Sequence, residues 1–127
     1  MLYAMLCYNA EDVVFSWSQE EDDAVMAKLN VVQERLAKAG KLGPSLRLLP
    51  TTAATTLRKD VDPPLVIDGP FAETKEQLLG FYVVDCANLQ EAIETARQMG
   101  RGESGSFEIR PLRIFRPGTA KAAMAAP

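Results

Sequence analysis

The residues best suited to chemistry gather in one segment. Asp68-Gly69-Pro70-Phe71 is followed within a few positions by Glu73, Lys75 and Glu76. A carboxylate at Asp68, at a strand end beside Phe71 and Tyr82, would be partly desolvated and could act as a general base. The competing reading is a turn in which Asp68 accepts an Asx-type hydrogen bond, with Gly69 supplying a positive φ and Pro70 fixing the exit. Glu73, Lys75 and Glu76 could line a cleft with Asp68 for acid–base work, or hold a divalent cation through oxygen ligands. The alternative for them is a solvated helical turn with a surface ion pair, worth less than ~1 kcal/mol.

Tyr8, Tyr82 and Arg110 fall in three apolar or alternating runs that read as neighbouring strands. Arg110 could take a carboxylate or phosphate on a ligand, or pair with Asp68 or Glu73 and hold the loop. Tyr82 could face a ligand or pack its ring in a subunit interface. Phe15 and Trp17 precede a helix and read as a hydrophobic staple or a cleft wall. The candidate set is therefore Asp68 as a base, with Tyr8, Phe71, Glu73, Tyr82 and Arg110 as ligand contacts.

The sequence has no histidine. That removes the commonest general base at neutral pH, every Ser-His or Cys-His nucleophile arrangement and the imidazole metal sites. The stretch from Gly100 to Gly105 lacks the lysine of a phosphate loop and the strand-to-helix setting of a dinucleotide site. No cofactor and no metal are expected. Fourteen basic residues scattered among 17 acidic ones, for a net charge of -3, offer no basic face for nucleic acid.

These residues need a scaffold, and 127 residues with 47% hydrophobic composition suffice for one domain with a core of its own. Leu2 to Tyr8 is a continuous apolar run and reads as a central strand buried on both faces. After a connection from Asn9 to Trp17, Ser18 and Glu21 form a capping-box pattern. Val25, Leu29, Val32 and Leu36 then recur at helical spacing, and Gly40 stands at the stop. Leu46 to Leu49 is a short apolar stretch. Thr55 to Arg58 and Leu65 to Ile67 read as a hairpin. Phe81 to Cys86 is a second doubly apolar strand. Asn88 caps a second long helix ending at Gly100, and Phe107 to Phe115 is the last strand. Residues 1–116 make one domain, and residues 117–127 read as a disordered tail.

Strand, helix, two or three strands, helix, strand is the order of a ferredoxin-like α+β sandwich, with an antiparallel sheet and two helices on one face. The uncovered face would expose more apolar surface than monomers tolerate, so a homodimer packed sheet to sheet is expected. Cys7 and Cys86 lie in separate strands and read as buried free thiols in a reducing compartment. No signal peptide or membrane-length run is visible, and a cytoplasmic protein is expected.

The string DGPFAETKEQLLGFYVVD, from Asp68 to Asp85, resembles the signature of the DGPF-domain family within the YCII-related group of small bacterial proteins. The opening MLYAMLCYN, the TTLR before the hairpin turn and the FEIRPL near the end resemble further strands of that family. Leu79 stands where the family usually has glycine, with Gly80 next to it. The resemblance implies a ferredoxin-like fold dimerised as a dimeric α+β barrel. It also implies a setting beside sigma factors of the extracytoplasmic-function class, and so a regulatory or small-ligand-binding module. YCII relatives carry a His and Asp pair in a cleft, of which this chain lacks the histidine. The alternative is a small-molecule enzyme with Asp68 as base, and Tyr82 and Arg110 orienting the substrate.

Overall fold

The computed structural model describes residues 1–100 and 103–120. Along the chain run β1 (Leu2–Asn9), a four-residue helix α1 (Glu11–Val14), α2 (Gln19–Lys38) and β2 (Leu42–Arg47). A single 3-10 turn at Thr51–Ala53 leads to β3 (Thr55–Arg58), β4 (Leu65–Asp68) and β5 (Gln77–Asp85), then α3 (Leu89–Gly100) and β6 (Ser106–Pro111). β2, β5, β1 and β6 form one antiparallel sheet in that order, with the two doubly apolar strands at its centre. This α+β arrangement is compatible with a ferredoxin-like fold.

Local signals set the helix ends. The Ser18 hydroxyl accepts from the Glu21 N–H at 3.1 Å, and the Glu21 carboxylate accepts from the Ser18 N–H at 3.3 Å. Two of the N–H groups that a helix start leaves unpaired are thereby satisfied. At the other end Gly40 adopts φ +69, which lets its N–H reach the Ala37 carbonyl and the Lys41 N–H reach that of Leu36. Before α3, the Asn88 side chain accepts from the Glu91 N–H at 2.9 Å. Glu91 in turn accepts from Ala87 N–H and from Lys41 Nζ at 2.8 Å, tying the start of α3 to the start of β2.

Strand pairing aligns side chains into rows on the helix side of the sheet. One row holds Leu42, Val84 and Tyr3, and the next holds Ser45, Tyr82, Met5 and Ile109. Tyr3, Met5 and Val84 are buried against Leu29, Val32 and Leu36 of α2 and against Ala92, Ala96 and Met99 of α3. The third row reads Arg47, Gly80, Cys7 and Phe107. Its two central members are small.

The opposite face carries Leu2, Ala4, Leu6 and Phe81, half-buried, with Glu108 and Arg110 on β6. No helix covers it. β3 and β4 pair only with each other, and Leu57, Leu65, Val66 and Ile67 of this hairpin are all exposed, Val66 by 64%.

Several expectations change. The connection after β1 contains α1, a helix too short to show any periodicity. Residues 73–76 form no helical turn, with bends only at Lys75 and Glu76. There the Thr74 hydroxyl donates to the Glu76 carbonyl, and the Gln77 side-chain amide donates to the carbonyls of Ala72 and Thr74. β5 begins at Gln77, well before Phe81. β2 occupies Leu42–Arg47 and not Leu46 to Leu49, because an edge strand tolerates Pro44, which has no N–H to give. The last strand stops at Pro111. Residues 117–120 have no regular secondary structure, and the rest of the expected tail lies outside the described residues.

Gly80 is where β2 and β5 come closest. A Cβ there would collide with the Leu46 carbonyl oxygen and lie 3.1 Å from Arg47 Cα, both backbone atoms that cannot rotate away. Gly80→Ala should therefore destabilise the fold by about 1–3 kcal/mol. Urea unfolding should show this as a lower midpoint at unchanged slope.

Candidate functional site

The small third row leaves a gap between sheet and helices. With no side chain on Gly80 and only a thiol on Cys7, a cavity of about 460 Å³ opens beside the first turns of α2. Its walls are Val25, Met26 and Leu29 of α2, Ile93, Ala96 and Met99 of α3, and Tyr82, Phe107 and Ile109 of the sheet. Phe15 and Trp17, between α1 and the Ser18 cap, complete the wall on one side. Volume and apolar lining both suit a small ligand.

Two irregularities shape the rim. Cys7 pairs with Gly80 and Tyr8 with Leu78, so Leu79 is the extra residue of a β-bulge. Its carbonyl accepts from the Leu48 N–H at 2.8 Å, which brings Leu48 into the lining. The Glu11 carboxylate accepts from the Thr51 N–H at 2.8 Å and from the Thr51 hydroxyl. This clasp joins α1 to the segment that follows β2.

Cys7, Tyr82 and Arg47 stand in a wall whose polar side chains also include Asn9, Arg97, Glu103, Ser104 and Ser106. The Cys7 thiol approaches only the Met5 carbonyl, at 3.7 Å, and burial pushes it up to about 12. It stays protonated at neutral pH and is no nucleophile. Burial also raises the Tyr82 phenol, and the Cys7 sulfur adds to the shift while Arg47 opposes it. The Tyr82 hydroxyl has no hydrogen-bond partner among the described residues. Arg47 reaches back over the cavity edge, with Nη2 on Asp22 Oδ1 at 3.2 Å and Nη1 on Met26 Sδ at 3.6 Å.

The residues singled out from sequence scatter by comparison. Tyr82 lies in the cavity wall. Tyr8 touches the lining but donates its hydroxyl to Glu108 at 3.3 Å. Arg110 is exposed on the face of the sheet opposite to Tyr82, since Tyr82 aligns with Met5 and Ile109 while Arg110 aligns with Ala4. The two do not converge on a common point within one chain.

Asp68 ends β4, exposed and paired with Thr55, and its carboxylate accepts no hydrogen bond among the described residues. The turn is held instead by the Gly69 N–H on the Ala54 carbonyl and the Thr56 hydroxyl on the Gly69 carbonyl, each at 2.8 Å, with Gly69 at φ +118. Phe71 is 77% exposed, with the Arg58 guanidinium 5.7 Å from its ring centre, and Glu73 is exposed without a partner among the described residues.

Arg47, Met26, Cys7 and Leu79 were not singled out as ligand contacts. A glycine inside a strand pattern does signal a bulge or a close backbone approach. Which side chains share its row depends on strand register, which one sequence does not display. Among the described residues no group of three or more Cys, Asp or Glu side chains is placed to hold a metal ion, and no helix is long and apolar enough to cross a membrane.

The chain belongs to the YCII-related domain family, which matches residues 1–116. It is similar to an uncharacterised protein of Rhizobium meliloti (strain 1021), at 57% identity over 120 residues covering 93% of this chain and 97% of that protein.

The raised Cys7 thiol links stability to alkaline pH. Unfolded, the group loses its proton near its ordinary value of 9.0, whereas the folded form holds it to about 12. Across that window the folded state binds the extra proton, so stability falls as pH rises, by at most about 1.4 kcal/mol per pH unit for one thiol. Tyr82, Cys86 and Lys41, all raised, act with the same sign, Lys41 through its hydrogen bond to Glu91. Urea unfolding between about pH 8 and pH 10 should show the decline, and Cys7→Ala should make it shallower without abolishing it.

Proposed function

We propose that this chain is a small-ligand-binding protein of the DGPF branch of its family, working as a homodimer. Its site is the cavity between the helices and the sheet. The observation that carries the reading is the pairing of a largely apolar wall with one phenol that lacks a partner among the described residues. Such a wall binds by excluding water, and a lone polar group fixes orientation. Cys7 and Tyr82 both hold their protons at neutral pH, and the Glu103 carboxylate of the lining is paired with Lys28 at 3.6 Å, which favours binding over catalysis. Asp68, Phe71, Glu73 and Arg110 then serve contacts outside the cavity. In a dimer they would meet the second copy, or a protein partner such as an extracytoplasmic-function sigma factor.

Two surfaces support the dimer. The half-buried apolar face of Leu2, Leu6 and Phe81 has no cover, and the exposed β3–β4 hairpin is a two-stranded unit that is marginal by itself in water. One copy can supply to the other what neither supplies to itself. Cys7 and Cys86 are free, in keeping with a reducing, cytoplasmic setting.

Non-denaturing mass spectrometry of the purified protein should give twice the chain mass, with a reproducible small molecule retained. Trp17, the sole tryptophan, stands in the cavity wall. Its emission should shift on removal of that molecule by mild unfolding and extraction, and return on adding it back. A monomer would rule out the dimer. A protein that neither retains a small molecule nor binds any from a panel of apolar probes would rule out the ligand site.

A further inference from the structure

We infer that the ligand of this cavity is an amphipathic carboxylate, its apolar body between sheet and helices and its carboxylate on Arg47 and Tyr82. This deepens the ligand-binding reading above and rests on it.

Tyr82 and Arg47 both bring donors to the cavity lining. A wholly apolar ligand would seal the Tyr82 hydroxyl away from water without an acceptor, at a cost of about 1–3 kcal/mol. The ligand must therefore bring an acceptor to Tyr82. Arg47 stands next to it: Ser45 pairs with Tyr82 and Arg47 with Gly80, so Arg47 and Tyr82 are diagonal neighbours on one face of adjacent strands. Long side chains meet at that spacing. Gly80, directly opposite Arg47, contributes no side chain to that face.

A guanidinium carries five N–H donors in a planar fork made for carboxylates. Among the described residues, the side chain of Arg47 meets one oxygen of Asp22 and the thioether of Met26, a weak acceptor. The Asp22 pair is partly open to solvent, with the Arg47 side chain 53% exposed. Pairs of that kind contribute about 0–1 kcal/mol, so a ligand carboxylate can share or take the fork at little cost.

Among the described residues, the other charged side chains of the wall also form ion pairs. Arg97 pairs with Glu94 at 3.2 Å and Glu103 with Lys28 at 3.6 Å, at the β6 end of the row and across the sheet from Arg47. A cationic ligand head would meet the Arg47 charge, whereas a carboxylate fits it.

The test uses matched probes on the purified, ligand-stripped protein: naphthoate against naphthamide and octanoate against octanamide, titrated calorimetrically at low and high salt. Each carboxylate should bind about tenfold or more tightly than its amide, an advantage that shrinks as salt screens it. Arg47→Gln should erase the preference, so that each carboxylate binds no more tightly than its amide. Asp22→Asn, which removes the competing carboxylate, should tighten carboxylate binding several-fold and leave the amides alone. Amides binding as well as carboxylates to the unaltered protein would overturn the anion while sparing the ligand site. Failure of all four probes to bind would defeat the ligand site itself, and the anion with it. Should Arg47→Gln fail to fold, an unchanged carboxylate affinity in Asp22→Asn would overturn the inference alone.

Discussion

The helix side of the sheet depends on how closely β2 can approach β5. At Gly80 the two backbones meet at a distance that no other residue permits, and the pairing of Arg47 with Gly80 follows from that contact. Remove the approach and Arg47 has no fixed place beside Tyr82. The same glycine leaves the cavity floor bare. A single missing side chain thus sets a strand contact, a void and the position of a cation. The neighbouring bulge at Leu79 extends the effect by turning a carbonyl toward Leu48 and folding the following segment over the rim.

Against this, the rest of the helix-side layer is ordinary core. Tyr3, Met5 and Val84 meet the apolar stripes of α2 and α3, and the helices are set by strong local caps. Burial of these side chains is the main favourable term in the fold. The third row departs from this pattern. An unfilled space in an otherwise well-packed layer costs stability, as every cavity in a protein interior does. A ligand that fills it would recover that loss, which links occupancy of the cavity to the stability of the whole domain.

Polarity is partitioned in a way that residue types alone do not suggest. The segment richest in chemically capable side chains, Asp68 to Glu76, sits on an exposed hairpin and the loop that leaves it. The enclosed space instead holds a thiol and a phenol whose protons are retained through burial. The charged loop stands apart from this space.

Much of the scaffold was legible in the residues. The capping box at Ser18, the Asn88 cap, the apolar periodicity of α2, the hairpin of β3 and β4 and the central place of two doubly apolar strands are all local signals. Local signals survive folding because they arise from hydrogen bonds and side-chain spacing within a few positions. The family could also be read, because a contiguous string carried it. The bends after Phe71 and the brief α1 were not legible, since neither has a period and both depend on side-chain bonds to distant or unpredictable partners. Which residues surround the cavity was decided only in three dimensions. Arg47, Gly80, Cys7 and Phe107 come from four separate stretches of chain, and strand register alone places them in one row. Register in turn follows from a bulge and a backbone contact, and these have no meaning until two strands lie side by side.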